Sequence, residues 1–256
     1  MLKNRKTEIL LLILWNIPAY ILSYLYGSNY IITALLFFTI PSIYISFCKP
    51  KIIKKLTIVS IILVVPFVAI ISYFAHTDGS WYNFSVVGIR FMGTYPIEDF
   101  LWGFFYCYYI IAVYEYFFER EKILKIPKKF IDFEVISLII SALFSIFVYY
   151  HAKPIIIPYS YALIILVFAF SLPALIFLFH PRILKKAIYA ELFFLPLSLL
   201  YEYIANIKGN WLFPGDHFIG YVHLLDVSIP LEEMFWLLLV VPAVVAYYEF
   251  LATNDI

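Results

Sequence analysis

Two short segments place carboxylate pairs at the start of long apolar runs: Pro96-Ile97-Glu98-Asp99 and Pro230-Leu231-Glu232-Glu233. A carboxyl group beside an oily segment can do two kinds of work. Ionised, it binds or relays a cation. Held neutral in a dry pocket, it donates a proton to a poor base. Neighbouring helical residues point about 100° apart, so the two acids of one pair cannot face one target. Trp102 lies one turn beyond Glu98, and Trp236 one turn beyond Glu232, on the same faces. The expectation is that Glu98 and Glu232 are the chemical groups, and that Asp99 and Glu233 tune or orient them. A proline followed by acids is also how an ordinary helix begins. The pattern occurs twice, however, and ionisable groups inside apolar spans are costly, which weighs toward function.

Each pair has an upstream G-x-W loop, Gly79-Ser80-Trp81 or Gly209-Asn210-Trp211, and a Y-E pair at the far end of its run, Tyr114-Glu115 or Tyr248-Glu249. Glu115 and Glu249 stand 17 residues beyond the first acids, about 25 Å along a helix and so near the opposite membrane face. Glu202 has Ser72 as its counterpart, which makes it the acid that renders the two halves unequal. Glu191 precedes it by 11 residues on roughly the same helix face. His76, Asp78, Asp216, His217, His223 and Asp226 read as solvated loop residues. Their histidines lack counterparts, with Asn206 and Val87 at matching places. Two cysteines, Cys48 and Cys107, cannot complete a zinc site. Neither a metal nor a cofactor is expected.

These residues ride on an internal repeat. Pro66, Tyr73, Gly79 and Trp81 match Pro196, Tyr203, Gly209 and Trp211 at an offset of 130. After four extra residues, Pro96, Glu98, Trp102, Ala112, Tyr114 and Glu115 match Pro230, Glu232, Trp236, Ala246, Tyr248 and Glu249 at an offset of 134. Of the 256 residues, 64% are hydrophobic and 14% charged, against about 25% charged in a soluble domain. The apolar residues form blocks long enough to cross a bilayer core. Eight spans are predicted, near 8–26, 30–48, 56–75, 96–118, 132–151, 158–180, 186–205 and 230–251. The first, with its basic start, reads as a retained helix rather than a signal peptide. The chain is thus expected to be an all-α integral membrane protein of two parallel four-helix repeats, residues 1–129 and 130–256. Counting along the loops puts 15 of the 18 Lys and Arg on one side, which predicts a multi-pass cell-membrane protein with both termini cytoplasmic. A net charge of +1 gives no reason to expect nucleic acid as a partner.

The P-x-E-(D/E) span starts, the G-x-W loops and the Y-E span ends together resemble the membrane lycopene cyclase domain family, over residues of about 56–118 and 186–251. Asp99 departs from that pattern, in which the second acid is often Glu. The resemblance implies a membrane-embedded acyclic carotenoid as substrate, C40 or C50, cyclised at its ψ-ends without net redox change. It also implies the lipid bilayer, and other carotenoid-pathway enzymes, as surroundings and partners. Glu98, Asp99, Glu232, Glu233 and Glu202 are then the candidate catalytic residues. Trp81, Trp102, Trp211, Trp236, Tyr114, Tyr248, Glu115 and Glu249 are the candidate substrate-binding residues, Trp102 and Trp236 with neighbouring Tyr and Phe through cation–π contact with a carbocation. Two other readings of the same carboxylates stay open: a parallel-repeat proton- or cation-coupled transporter, and a non-catalytic isoprenoid-binding protein.

Overall fold

The structure is a computed structural model and describes residues 5–26, 29–118, 128–151 and 153–252. The basic residues Lys3, Arg120, Lys122 and Lys125 lie outside them. Eight long helices follow the eight predicted spans: α1 Arg5–Leu25, α2 Tyr30–Cys48, α3 Ile53–Asp78, α4 Glu98–Phe117, α5 Lys128–Tyr150, α6 Ser160–Phe179, α7 Pro181–Ile207 and α8 Leu231–Ala252. Six of them are long and apolar enough to cross a membrane. The other two, α4 and α7, carry Glu98, Asp99 and Glu115, and Glu191 and Glu202. Large apolar side chains lie open along the outer helices, Leu138, Ile139, Ile140, Leu143 and Ile146 on α5 among them. Exposed apolar faces of this extent belong in lipid, and the chain is an all-α integral membrane protein.

Helices α3, α4, α7 and α8 form the centre. Helix α3 packs on α4 and α7 on α8, while α4 touches both α7 and α8. The first helix of each half crosses to the other: α1 lies on α7, and α5 on α3. Helices α2 and α6 flank α4 and α8 respectively. Each contains a π-helical segment, Leu35–Thr39 in α2 and Ile165–Ser171 in α6. Sequence identity between these two helices is slight, yet both place the same backbone irregularity at the same depth. Such segments recur at functional sites.

Both G-x-W loops start from a helix stop. Gly79 (φ 74°) and Gly209 (φ 63°) adopt the left-handed conformation that ends α3 and α7. The next residues donate back, Ser80 N to Ala75 O at 2.8 Å and Asn210 N to Ala205 O at 2.8 Å. This is the glycine C-cap in which a free helix carbonyl is satisfied from beyond the turn. Past the caps, β1 (Tyr82–Asn83) pairs with β4 (Trp211–Leu212), joining the two loops. Hairpins β2–β3 (Arg90–Phe91, Tyr95–Pro96) and β5–β6 (Tyr221–Leu224, Val227–Pro230) then lead into α4 and α8. The loops also meet at Gly215, whose N–H donates to Gly79 O at 2.9 Å. A Cβ on Gly215 would lie 2.6 Å from Asp78 O and 2.9 Å from Gly79 O. Backbone cannot swing aside as a side chain does, so Gly215→Ala is expected to destabilise by about 1–3 kcal/mol, the range of overpacking. A fall in melting temperature in detergent checks this. Gly220→Ala, with nothing within 4 Å of its Cβ, is the control expected to leave it unchanged.

Candidate active site

The four acids of the span starts are all buried, but they face two ways. Glu98 turns back to its own loop: its Oε1 accepts from Val86 N at 2.6 Å, Val87 N at 2.7 Å and Ser85 Oγ at 3.0 Å. Glu232 does the same, accepting from Ile219 N at 2.6 Å. A carboxylate that gathers backbone donors at the start of its own helix anchors the loop. The acids expected to be the chemical groups are therefore engaged locally. The reason is the 100° step: with the first acid turned to the loop, the second turns inward.

In the first half, Asp99 accepts from Tyr30 OH at 3.3 Å and pairs with the Asn83 amide at 2.5 Å. Asn83 in turn meets His76 Nε2 at 2.8 Å, and His76 Nδ1 faces Ser72 O at 2.9 Å. The carbonyl obliges Nδ1 to carry a hydrogen. If Asn83 donates to Asp99, its carbonyl oxygen faces His76 Nε2, which must then also carry a hydrogen. If the amide is turned over, the imidazole is neutral and Asp99 carries the hydrogen. His76 lies in the last turn of α3 and Asp78 ends that helix, so neither is the solvated loop residue that was expected. Asp78 is buried because it fastens three segments: it accepts from Ser160 N at 3.1 Å, Ser80 Oγ at 3.2 Å and His217 Nδ1 at 2.6 Å.

The second half replaces this arrangement residue by residue. Tyr161, first turn of α6, donates to Glu233 as Tyr30 of α2 meets Asp99. Glu202 stands where Ser72 stood, Asn206 in place of His76, and Phe213 in place of Asn83. Glu202 accepts from Asn206 Nδ2 at 2.5 Å and from Trp211 Nε1 at 3.2 Å. At these positions the second half thus has two buried carboxyls, Glu202 and Glu233, and no imidazole. Glu202 and Glu233 line one crevice, with Phe38, Trp102, Tyr106, Tyr201, Trp211 and Trp236 around them. Its free volume is about 10 Å³, about one water, so the site is closed in this form.

Trp211 also packs on Tyr30 (5.5 Å between ring centres), and Trp81 on Tyr161 (5.1 Å). Each loop tryptophan thus covers the tyrosine that serves the acid of the other half. Three of the predicted tryptophans, Trp102, Trp211 and Trp236, come together around Glu202 and Glu233, while Trp81 stays outside, against Tyr161. Tyr114, Tyr248, Glu115 and Glu249 form a separate cluster at the far ends of α4 and α8. Tyr114 donates to Glu249 and Tyr248 to Glu115, and Lys55 Nζ lies 3.0 Å from Glu115 Oε1. Tyr30 and Tyr161 were missed, though identical residues open both helices at an offset of 131. Tyr106, Tyr201 and Ser198 were also missed. They are asymmetric, and no repeat comparison would single them out.

A family model described as lycopene cyclase matches the chain twice, over residues 29–117 and 158–251. No curated protein and no solved structure matches it.

Proposed function

The chain belongs to the lycopene cyclase family, and from that premise we propose that it closes rings at the ψ-ends of an acyclic carotenoid, with Glu233 as proton donor and Glu202 as its counter-base. The observation that supports this reading is the crevice in which both carboxyls meet six aromatic rings. A second negative charge there would be buried without a cation, so the pair holds one proton. Glu202, with the Trp211 and Asn206 donors on its oxygens, is the better seat for the charge. Glu233, with Tyr161 on Oε2, keeps its other oxygen for the acidic hydrogen.

Glu233 protonates C2 of the terminal double bond, and the positive charge falls on C1. The C5=C6 π pair forms the C1–C6 bond and moves the charge to C5. A carboxylate then removes a proton from C6, C4 or the C5 methyl, giving a β, ε or γ ring. The proton count is restored and nothing is oxidised. Each desolvated ring beside the cation stabilises it by about 2 kcal/mol, and exclusion of water prevents its capture as an alcohol.

Expression in a bacterial host that accumulates lycopene tests the reading. Red pigment is expected to turn yellow-orange, with cyclic carotenes on chromatography. Unchanged lycopene, and an unchanged C50 acyclic carotenoid offered in parallel, with the protein shown in the membrane fraction, would overturn it. Binding of the polyene that persists without turnover, and survives Gln at both Glu202 and Glu233, would favour the isoprenoid-binding reading.

A further inference from the structure

The closed crevice leaves open how a polyene tail reaches it. A second cavity of about 30 Å³ lies between α2 and α4, lined by Tyr30, Ile31, Ala34 and Leu35 on one side and Glu98, Leu101 and Phe105 on the other, with the Glu98 carboxylate turned to the Val86 and Val87 N–H groups. Its rim faces outward, for Leu35 is 39% and Leu101 50% exposed on helices whose outer faces meet lipid. Its inner wall is Trp102, which also lines the crevice of Glu202 and Glu233. One indole therefore separates lipid-side space from the two carboxyls. The π segment of α2 fits this role. Leu35 and Phe38 both belong to it, yet Leu35 lines the outer cavity and Phe38 the crevice. The wider turn of a π segment spreads residues three apart farther round the axis than an α turn does.

In the second half an aromatic stack stands beside the counterpart of Trp102. Trp236 is stacked on Phe67 of α3 (5.8 Å, 20° between planes), and Phe67 meets Phe168 of α6 edge-on at 6.2 Å. The counterpart of Phe67 is Leu197. Trp102 instead leans on Tyr106 at 5.6 Å and Trp211 at 5.5 Å, both of which line the crevice.

We propose that the carotenoid slides in from the lipid through the slot between α2 and α4, past Trp102, so that the first half admits the polyene and the acids of the second half react with its end. This rests on the cyclase reading for the identity of the occupant. It is tested apart from turnover by placing a thiol at the rim. Leu101→Cys and its counterpart Phe235→Cys, both exposed in the wild type, are labelled in vesicles with a membrane-soluble maleimide, with and without lycopene. Lycopene is expected to slow labelling at Leu101→Cys at least fivefold and to leave Phe235→Cys unchanged. Equal protection at both sites, or none at Leu101→Cys, would overturn the slot. So would slow labelling of Leu101→Cys without carotenoid that lycopene does not change, since lipid chains alone would then fill it. In an active protein, Leu101→Trp is expected to lower kcat/KM at least tenfold through KM, while Phe235→Trp leaves it within twofold. If the wild type converts lycopene and Leu101→Trp does so equally well, the slot fails and the cyclase reading stands. If protection is seen without conversion, the slot stands and the cyclase reading fails.

Discussion

Glu233→Gln is expected to lower the rate of ring closure at least a hundredfold, with the melting temperature in detergent nearly unchanged. The amide keeps the size of the side chain and still accepts from Tyr161, so the fold has no reason to suffer. It cannot give a proton to an alkene, and loss of a positioned general acid is worth about 10²–10⁴ in rate. Glu232→Gln is expected to be far milder. Its carboxylate serves Ile219 N, and an amide oxygen can accept from the same donor. Asp99→Asn should fall between the two, because it disturbs the His76–Asn83 chain without removing the proposed donor. The measurement is kcat on solubilised protein with a dispersed carotenoid, each variant matched for folded fraction. Loss in Glu232→Gln with a normal rate in Glu233→Gln would restore the opposite assignment, in which the first acid of each pair reacts. Glu202→Gln discriminates further. If Glu202 only balances charge, its amide should slow turnover modestly; if it takes the ring proton, the loss should approach that of Glu233→Gln.

The helices were legible because membrane spans write themselves into long apolar blocks, and each predicted span has its helix within a few residues. The carboxylates were legible for the same reason in reverse, as ionisable groups where few are tolerated. Which acid of each pair turns inward was not. A helix wheel ranks Glu98 and Asp99 as neighbours 100° apart but does not say where the axis will rotate. That rotation is set by Val86, Val87 and Ile219, whose N–H groups belong to loops with no periodic signal. Glu202 could be picked out because its counterpart is Ser72. Its meeting with Glu233 depends on how α7 packs on α8, which spacing alone does not fix. The π segments of α2 and α6 left no trace in composition, since a π turn uses the same apolar residues as an α turn. The pairing of Tyr114 and Tyr248 with the acids of the opposite helix is another product of packing. Both Y-E pairs were visible, but their exchange across α4 and α8 appears only in three dimensions.

That exchange gives the largest expected effect on stability. Glu115 is 6% and Lys55 5% exposed. The ammonium lies 3.0 Å from the carboxylate and 4.8 Å over the Tyr248 ring, whose hydroxyl also donates to Glu115. Glu115→Leu strands a buried ammonium and a buried phenol together, and removing one partner of a buried pair costs about 3–5 kcal/mol. Lys55→Met should cost less, because Glu115 keeps the Tyr248 donor. The double variant should recover much of the loss, since an apolar pair of similar volume is often nearly neutral in place of a buried ion pair. A double-mutant cycle on detergent melting curves reads the coupling, and values near zero would show that the pair contributes little. Activity separates two roles for this cluster. Were Glu115 a substrate contact, Glu115→Gln would change KM with the melting temperature unmoved. If the cluster only latches α4 to α8, the melting temperature should fall and KM should stay where it was. The 17-residue offset from Glu98 to Glu115 puts the cluster about 25 Å from the anchored end of α4, too far to touch a ring closing beside Glu233.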